Sequence, residues 1–180
     1  MIGKRIGAAL GKTKADVVLK NGSYVNVFTG EVERGDIAIT DGRIVGIGTY
    51  SGEREIDIGG KIAVPGLIDA HVHIESSQLS PEEYARLVVP HGTTAIIADP
   101  HEIANVCGIS GVRYIADAAK NTPLDVKVML PSCVPATPFE TSGATLSGAD
   151  TERYIGEPYV WGLGEFMNAP GVLNGDADVL

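Results

Sequence analysis

The sequence predicts an α/β chain in two parts: a small antiparallel β-domain over residues 1–60, then about four βα units over residues 61–180. Three observations carry that prediction. From Asp16 to Ile58, short β-rich runs alternate with turn pairs; after Gly59-Gly60, apolar strands alternate with helical stretches. Taking Leu67, Ile96, Val128 and Trp161 as strand centres, the intervals are 29, 32 and 33 residues. That is the length of a repeating βα unit, which implies a parallel sheet covered by helices.

In chain order, Met1 to Thr13 mixes small, basic and apolar residues and predicts a short surface helix. The β-domain follows as Val17–Leu19, Tyr24–Phe28, Ile37–Ile39 and Ile44–Ile47. Asn21-Gly22 and Asp41-Gly42 between such runs are hairpin signals, because those residues accept the positive φ of tight turns. In the second part the strands are Ile62–Ile68, Thr93–Ala98, Val126–Leu130 and Tyr159–Leu163. Ser80-Pro81-Glu82-Glu83 is a capping box, opening a helix that runs to about Val89 and stops near Pro90 to Gly92. Further helices are expected over Val112–Lys120 and Asp150–Ile155, with a long loop from Pro131 to Gly148. Four strands cannot close a barrel that needs eight. The pattern therefore leaves two architectures open, an open four-stranded sheet or the N-terminal portion of a longer barrel.

Composition narrows the partners. With 44% hydrophobic and 21% charged residues the chain is globular, and a net charge of -9 without a Lys/Arg cluster argues against nucleic acid. No window approaches the length of a membrane span. Cys107 and Cys133 are too few for a disulfide framework and too far apart for a thiolate metal site. Both are expected as buried or semi-buried thiols in a reducing compartment, which places the chain in the cytoplasm.

The chemistry gathers at His71-Val72-His73. Residues two apart on a strand share a face, so a buried strand there would present both imidazoles to one point. In parallel α/β architectures ligands bind at the carboxyl ends of the strands. Besides the histidines, Asp99-Pro100-His101-Glu102, Ser132-Cys133 and Glu165 fall at such ends. His71, His73 and Glu165 are the candidate metal ligands, Glu165 being able to bridge two cations. Its flanking Gly162 and Gly164 let backbone pack closely around it. Asp69 lies on the same face as the histidines and is a candidate to orient an imidazole from behind, as is Asp99. His101 and Glu102 are candidates for lining the pocket or moving protons. His91, at a helix C-terminus beside Gly92, reads as structural.

Pro65-Gly66-Leu67-Ile68-Asp69-Ala70-His71-Val72-His73 resembles the metal-binding signature of the amidohydrolase superfamily. The segments His73–Ser77, Thr93–Val106, Leu130–Gly143 and Gly162–Asn168 are similar to the adenine deaminase family within it, and the resemblance runs from about Asp16 onward. It implies the N-terminal part of a (β/α)8 TIM-like barrel and hydrolytic deamination of adenine to hypoxanthine and ammonia. It also implies a centre of two divalent ions, manganese or iron with zinc as an alternative, bridged by Glu165 where many relatives use a modified lysine. The expected partner is the small molecule adenine, and the full-length protein is expected to be a homo-oligomer. The family pattern continues with two more histidines and an aspartate on later strands, which these 180 residues lack. The chain alone is therefore expected not to deaminate adenine at a useful rate. Competing expectations are another amidohydrolase acting on cyclic amides, or a non-catalytic binding module.

Overall fold

The computed structural model describes residues 2–180 and divides into two compact units, Met1–Pro65 and Gly66–Leu180. The first opens with helix α1 (Ile2–Ala9) and carries strands β1 (Ala15–Lys20), β2 (Ser23–Val25), β3 (Val32–Arg34), β4 (Asp36–Thr40), β5 (Arg43–Gly48), β6 (Gly52–Asp57) and β7 (Ile62–Ala63). They form a four-stranded sheet in the order β5-β4-β1-β6 and a three-stranded sheet in the order β3-β2-β7. Ala8, Ala15, Val18 and Ala38 are its buried core, with Val45 and Tyr50 packed on them. The Tyr50 hydroxyl donates to the Ala9 carbonyl at 3.0 Å, so its buried body ends on a satisfied polar tip.

This unit is mixed rather than purely antiparallel. The pairs β1–β4, β4–β5 and β2–β3 are antiparallel, whereas β1–β6 and β2–β7 are parallel. The β4–β5 hairpin intervenes between β1 and β6, so the chain returns on the far side of β1 in the same direction. Asp41-Gly42 makes that hairpin, with φ of 51° and 68°. Asn21 also has positive φ, but the Asn21-Gly22 turn carries the chain from one sheet to the other instead of closing a hairpin. The run Tyr24–Phe28 is strand only to Val25, and Gly52–Asp57, with its charged alternation, is an edge strand that apolar pattern did not reveal.

The second unit contains β8 (Leu67–Val72), α2 (Pro81–Val88), β9 (Thr93–Ala98), α3 (His101–Cys107), α4 (Ile109–Ala119), β10 (Asp125–Leu130), α5 (Gly148–Tyr154), β11 (Val160–Leu163) and α6 (Ala169–Leu173). Its sheet is parallel throughout, in the order β11-β10-β9-β8. Each crossover therefore steps the same way, and crossovers of one hand put their helices on one face. That is barrel winding, not the reversal of a doubly wound sheet. Ile74, Ala85, Ile96, Ala98, Ala104, Val112, Ile115 and Val128 are among the buried residues of this unit's core. None of the described helices is long and apolar enough to cross a membrane.

The apolar run Ile62–Ile68 is not one strand. Pro65 has no N–H to continue a ladder, so β7 pairs with β2 while β8 starts afresh at Leu67 beside β9. Nor is β8 a buried strand: it is a sheet edge, with Leu67 60% and Ile68 67% exposed. The Ser80 hydroxyl caps α2 by accepting the Glu83 N–H, as its spacing predicts. The reciprocal box is found at α5, where Asp150 returns a bond to the Ser147 N–H and the helix starts two residues before the predicted Asp150. Helix α3 begins at His101, directly after Asp99-Pro100, where the sequence pattern predicts no helix. Cys133 is buried, but Cys107 at the end of α3 is exposed. The long loop after β10 is pinned to α3 by the Gly143 and Ala144 N–H groups, which donate to the Asn105 carbonyl at 2.9 and 3.2 Å.

Candidate metal centre

Six side chains that can ligate a metal meet at the carboxyl ends of β8, β9 and β11: His71, His73, Asp99, His101, Glu102 and Glu165. Alternation along β8 and just past its end turns both rings to Glu165. His71 Nε2 lies 3.4 Å from Glu165 Oε2, and His73 Nε2 lies 3.6 Å from Glu165 Oε1. Two donors on one tetrahedral ion, at bonds of about 2.0–2.1 Å, stand about 3.4 Å apart. The spacing fits that of ligands around an ion.

What fixes these groups is as informative as the groups themselves. His73 Nδ1 lies 2.8 Å from the Asp99 carbonyl, which sets Nδ1 as donor and leaves Nε2 free to bind. Asp99 is buried, and its Oδ2 accepts the Glu165 N–H at 2.7 Å. A Cβ on Gly164 would stand 2.7 Å from Asp99 Cγ and 2.9 Å from Oδ1, so only glycine lets that carboxylate reach the backbone of β11's end. From the other side, the Ser132 hydroxyl donates to the Glu165 carbonyl at 2.6 Å. Glu165 is thus gripped at its own N–H and C=O, with its side chain directed to the histidines.

His101, the first residue of α3, has Nδ1 3.5 Å from Glu165 Oε1 and 3.6 Å from Asp99 Oδ1. Glu102 Oε2 stands 3.4 Å from His73 Nδ1, and its Oε1 accepts the Ser76 hydroxyl at 2.9 Å. Asp69 does not act behind an imidazole: its Oδ1 accepts the His71 backbone N–H at 3.2 Å and so fixes strand rather than ring. Burial lowers the His73 pKa, but the Asp99 carbonyl and the carboxylates of Glu102, Glu165 and Asp99 outweigh it and raise the pKa overall. Glu75, beyond His73, is pushed up chiefly by desolvation, and its Oε1 accepts the Ile103 N–H at 3.2 Å. Neither residue type nor spacing marks Ser76 and Glu75 as site residues, whereas Gly164 is marked by its place beside Glu165. The sequence's signals for them were the His73–Ser77 block and the glycines around Glu165.

Beside the cluster a cavity of about 370 Å³ is lined by His101, Glu102, Asn105, Cys133, Glu140 and Met167, among others. Its size falls in the small-molecule range. A cavity of about 480 Å³ lies at the opposite, amino-terminal end of β10 and β11, but among the described residues the groups of three metal-capable side chains lie at the carboxyl ends.

Residues 62–167, more than half of the chain, match the sequence model of the amidohydrolase family. The chain belongs to the amidohydrolase family. It is 59% identical to adenine deaminase 2 of Desulfotalea psychrophila over 94% of this chain and 30% of that protein. It is 56% identical to the adenine deaminase of Clostridium acetobutylicum over 99% of this chain and 31% of that protein. The chain thus spans about 30% of the length of these curated relatives. Among solved structures, the zinc-complexed atrazine chlorohydrolase of Arthrobacter aurescens TC1 matches 87% of this chain and 48% of its own, with a TM-score of 0.61 at 16% identity. That likeness concerns the fold, which in this amidohydrolase is four consecutive βα units of a barrel preceded by a β-domain.

The side chains of this amidohydrolase fit a divalent cation. Asp99 Oδ1, His101 Nδ1 and Glu102 Oε2 are buried without hydrogen-bond partners, a costly state that a cation relieves. Imidazole nitrogen with carboxylate oxygen is a donor set for borderline first-row ions.

Proposed function

We propose that this chain is the N-terminal portion of a hydrolytic adenine deaminase. The reaction takes adenine and water to hypoxanthine and ammonia: water's oxygen bonds to C6 and the exocyclic amine leaves. The observation that carries this reading is Glu165, which ends the fourth strand of the second unit and faces His71 and His73 at once. The names of the relatives at 59% and 56% identity point to the substrate.

His71, His73 and Glu165 would hold the metal, manganese or iron in this reading. A divalent ion there supplies hydroxide near neutral pH by acidifying a water. The remaining roles belong to the chain's own groups. Glu165 is anionic without chemical modification and keeps its orientation through Asp99 and Ser132. Glu102, held by Ser76 and facing the His73 ring, is placed to carry a proton towards the departing amine. His101, Asn105, Cys133 and Met167 line the cavity that would receive the base. The two further histidines and the aspartate expected for a complete centre would come from outside these residues.

The test is ammonia release from adenine by the purified 180-residue chain and by the longer protein, each loaded with manganese or iron. The expected result is no useful turnover by the former and turnover by the latter, abolished by Glu165→Gln. Turnover by the 180-residue chain would overturn the need for further ligands. A longer protein that hydrolyses cyclic amides and leaves adenine untouched would overturn the substrate.

A further inference from the structure

We infer that Glu75 is a positioning residue: it caps helix α3 from beyond the end of β8 and so sets where that helix presents Glu102 and His101. The inference rests on the role given to Glu102 above, but the cap itself can be read without any turnover.

Three observations carry it. Helix α3 has no side-chain cap of its own, because the residue before it is Pro100. Glu75, 28 positions away, supplies the acceptor, its Oε1 taking the Ile103 N–H at 3.2 Å. The next residue makes a second tie, the Ser76 hydroxyl donating to Glu102 Oε1 at 2.9 Å. Two consecutive residues thus hold the first turn of α3 at two points: Glu75 fixes its backbone, and Ser76 fixes the Glu102 side chain. The third observation is that Glu75 Oε2 is buried without a partner. A half-satisfied buried carboxylate is a poor choice for stability alone, since an apolar side chain of similar size avoids its desolvation.

The clamp has a rigid base. Glu75 lies in the 3-10 turn Ile74–Ser77, which follows His73 directly, and Ile74 is fully buried in the core of the unit. The turn is closed by the Ser76 N–H on the His73 carbonyl at 3.2 Å and the Gln78 N–H on the Glu75 carbonyl at 2.9 Å. Glu75 is therefore tied to the strand end that carries His71 and His73. Across the gap, α3 holds Glu102 Oε2 3.4 Å from His73 Nδ1 and His101 Nδ1 3.5 Å from Glu165 Oε1. A loosened first turn would widen both gaps, and proton transfer fails once the groups leave hydrogen-bond reach.

The experiment is steady-state deamination of adenine by the manganese-loaded longer protein, with three substitutions that separate acceptor from charge. Glu75→Gln keeps an acceptor oxygen and loses the charge, Glu75→Asp keeps the charge and withdraws the acceptor by one methylene, and Glu75→Met loses both. Glu75→Asp and Glu75→Met are expected to lower kcat about 10- to 100-fold, with KM and bound manganese within about twofold of wild type. Glu75→Gln is expected to recover kcat to within about threefold. Once Glu102→Gln is in place, Glu75→Met is expected to cost nothing further, because the two residues act as one unit. Amide hydrogen exchange in α3, followed by mass spectrometry, is expected to quicken in Glu75→Asp and Glu75→Met and not in Glu75→Gln. Circular dichroism checks each fold, and Glu75→Asp decides the question if Glu75→Met does not fold. Unaltered α3 exchange in Glu75→Asp overturns the inference, as does a Glu75→Gln enzyme that fails while Glu75→Asp stays active, or a further loss on top of Glu102→Gln. A wild type that leaves adenine untouched sinks the deaminase reading instead, and the α3 exchange rates then decide the cap by themselves.

Discussion

The two units differ in what they bury. The first buries small apolar side chains, Ala8, Ala15, Val18 and Ala38, pairs charges as in the Lys20–Asp36 ion pair, and leaves an isolated buried hydroxyl, Thr40 Oγ1, without a partner. The second buries a comparable apolar layer but also leaves polar atoms of Asp99, His101 and Glu102 buried and unpartnered at one end of its sheet. The first unit also has the roomier cavity: about 500 Å³, lined by Tyr24, Val27, Phe28, Ile44, Val64 and others, against about 370 Å³ beside the cluster. Among the described residues, every group of three metal-capable side chains lies in the second unit. Volume alone does not mark a site; unpaid desolvation of convergent donors does.

That contrast is sharpest at Glu165. Glu165→Gln removes the charge that His71 and His73 both face, and metal affinity is expected to fall by about 100-fold. Isothermal titration with manganese checks it; unchanged affinity would erase the distinction between the units. Gly164→Ala, next in size, drives a methyl into the Asp99 carboxylate and is expected to cost about 1–3 kcal/mol. It should also weaken metal binding, because Asp99 can no longer hold the Glu165 N–H. Urea unfolding and metal titration on the same variant separate the two effects.

Val18→Ala in the first unit is the counterpart. It opens a void in a fully buried position and is expected to destabilise by about 1–2 kcal/mol, with metal affinity unchanged. A loss of metal in that variant would show that the units are energetically joined. The smallest effect concerns acid. The Lys20 ammonium, through its bond to Asp36, holds that carboxyl below the usual aspartate range. A carboxyl depressed in the folded state contributes stability above its unfolded pKa and loses it as pH falls through the folded one. Asp36→Asn is therefore expected to flatten the acid limb of the first unit's stability below about pH 4, read by circular dichroism.

Much of this was legible in the chain itself, for reasons that can be named. β9 has the predicted bounds, Thr93–Ala98, because an apolar β-branched run closed by Gly92 and Asp99-Pro100 admits few alternatives. His71, His73 and Glu165 meet because strand alternation puts both rings on one face and parallel βα order brings the strand ends to one rim. What escaped was set by neighbours distant in sequence. Edge strand β6 has a charged alternation and exists through its partner β1. The mixed pairing of the first unit depends on which side of β1 the chain returns. Asp69 shares the histidines' face yet bonds to backbone, accepting the His71 N–H.

The sequence by itself determined the strand spacing, the turn at Asp41-Gly42, the cap at Ser80 and the residue types that can bind a cation, since each rests on local backbone preference or side-chain chemistry. Only the tertiary structure decided that Asp99, 66 positions before Glu165, holds that residue's N–H, and that His101 turns Nδ1 to the same carboxylate. The reason is physical: a hydrogen bond between strand ends is set by the lateral order of the sheet, and that order is written in packing, not in any local run of residues.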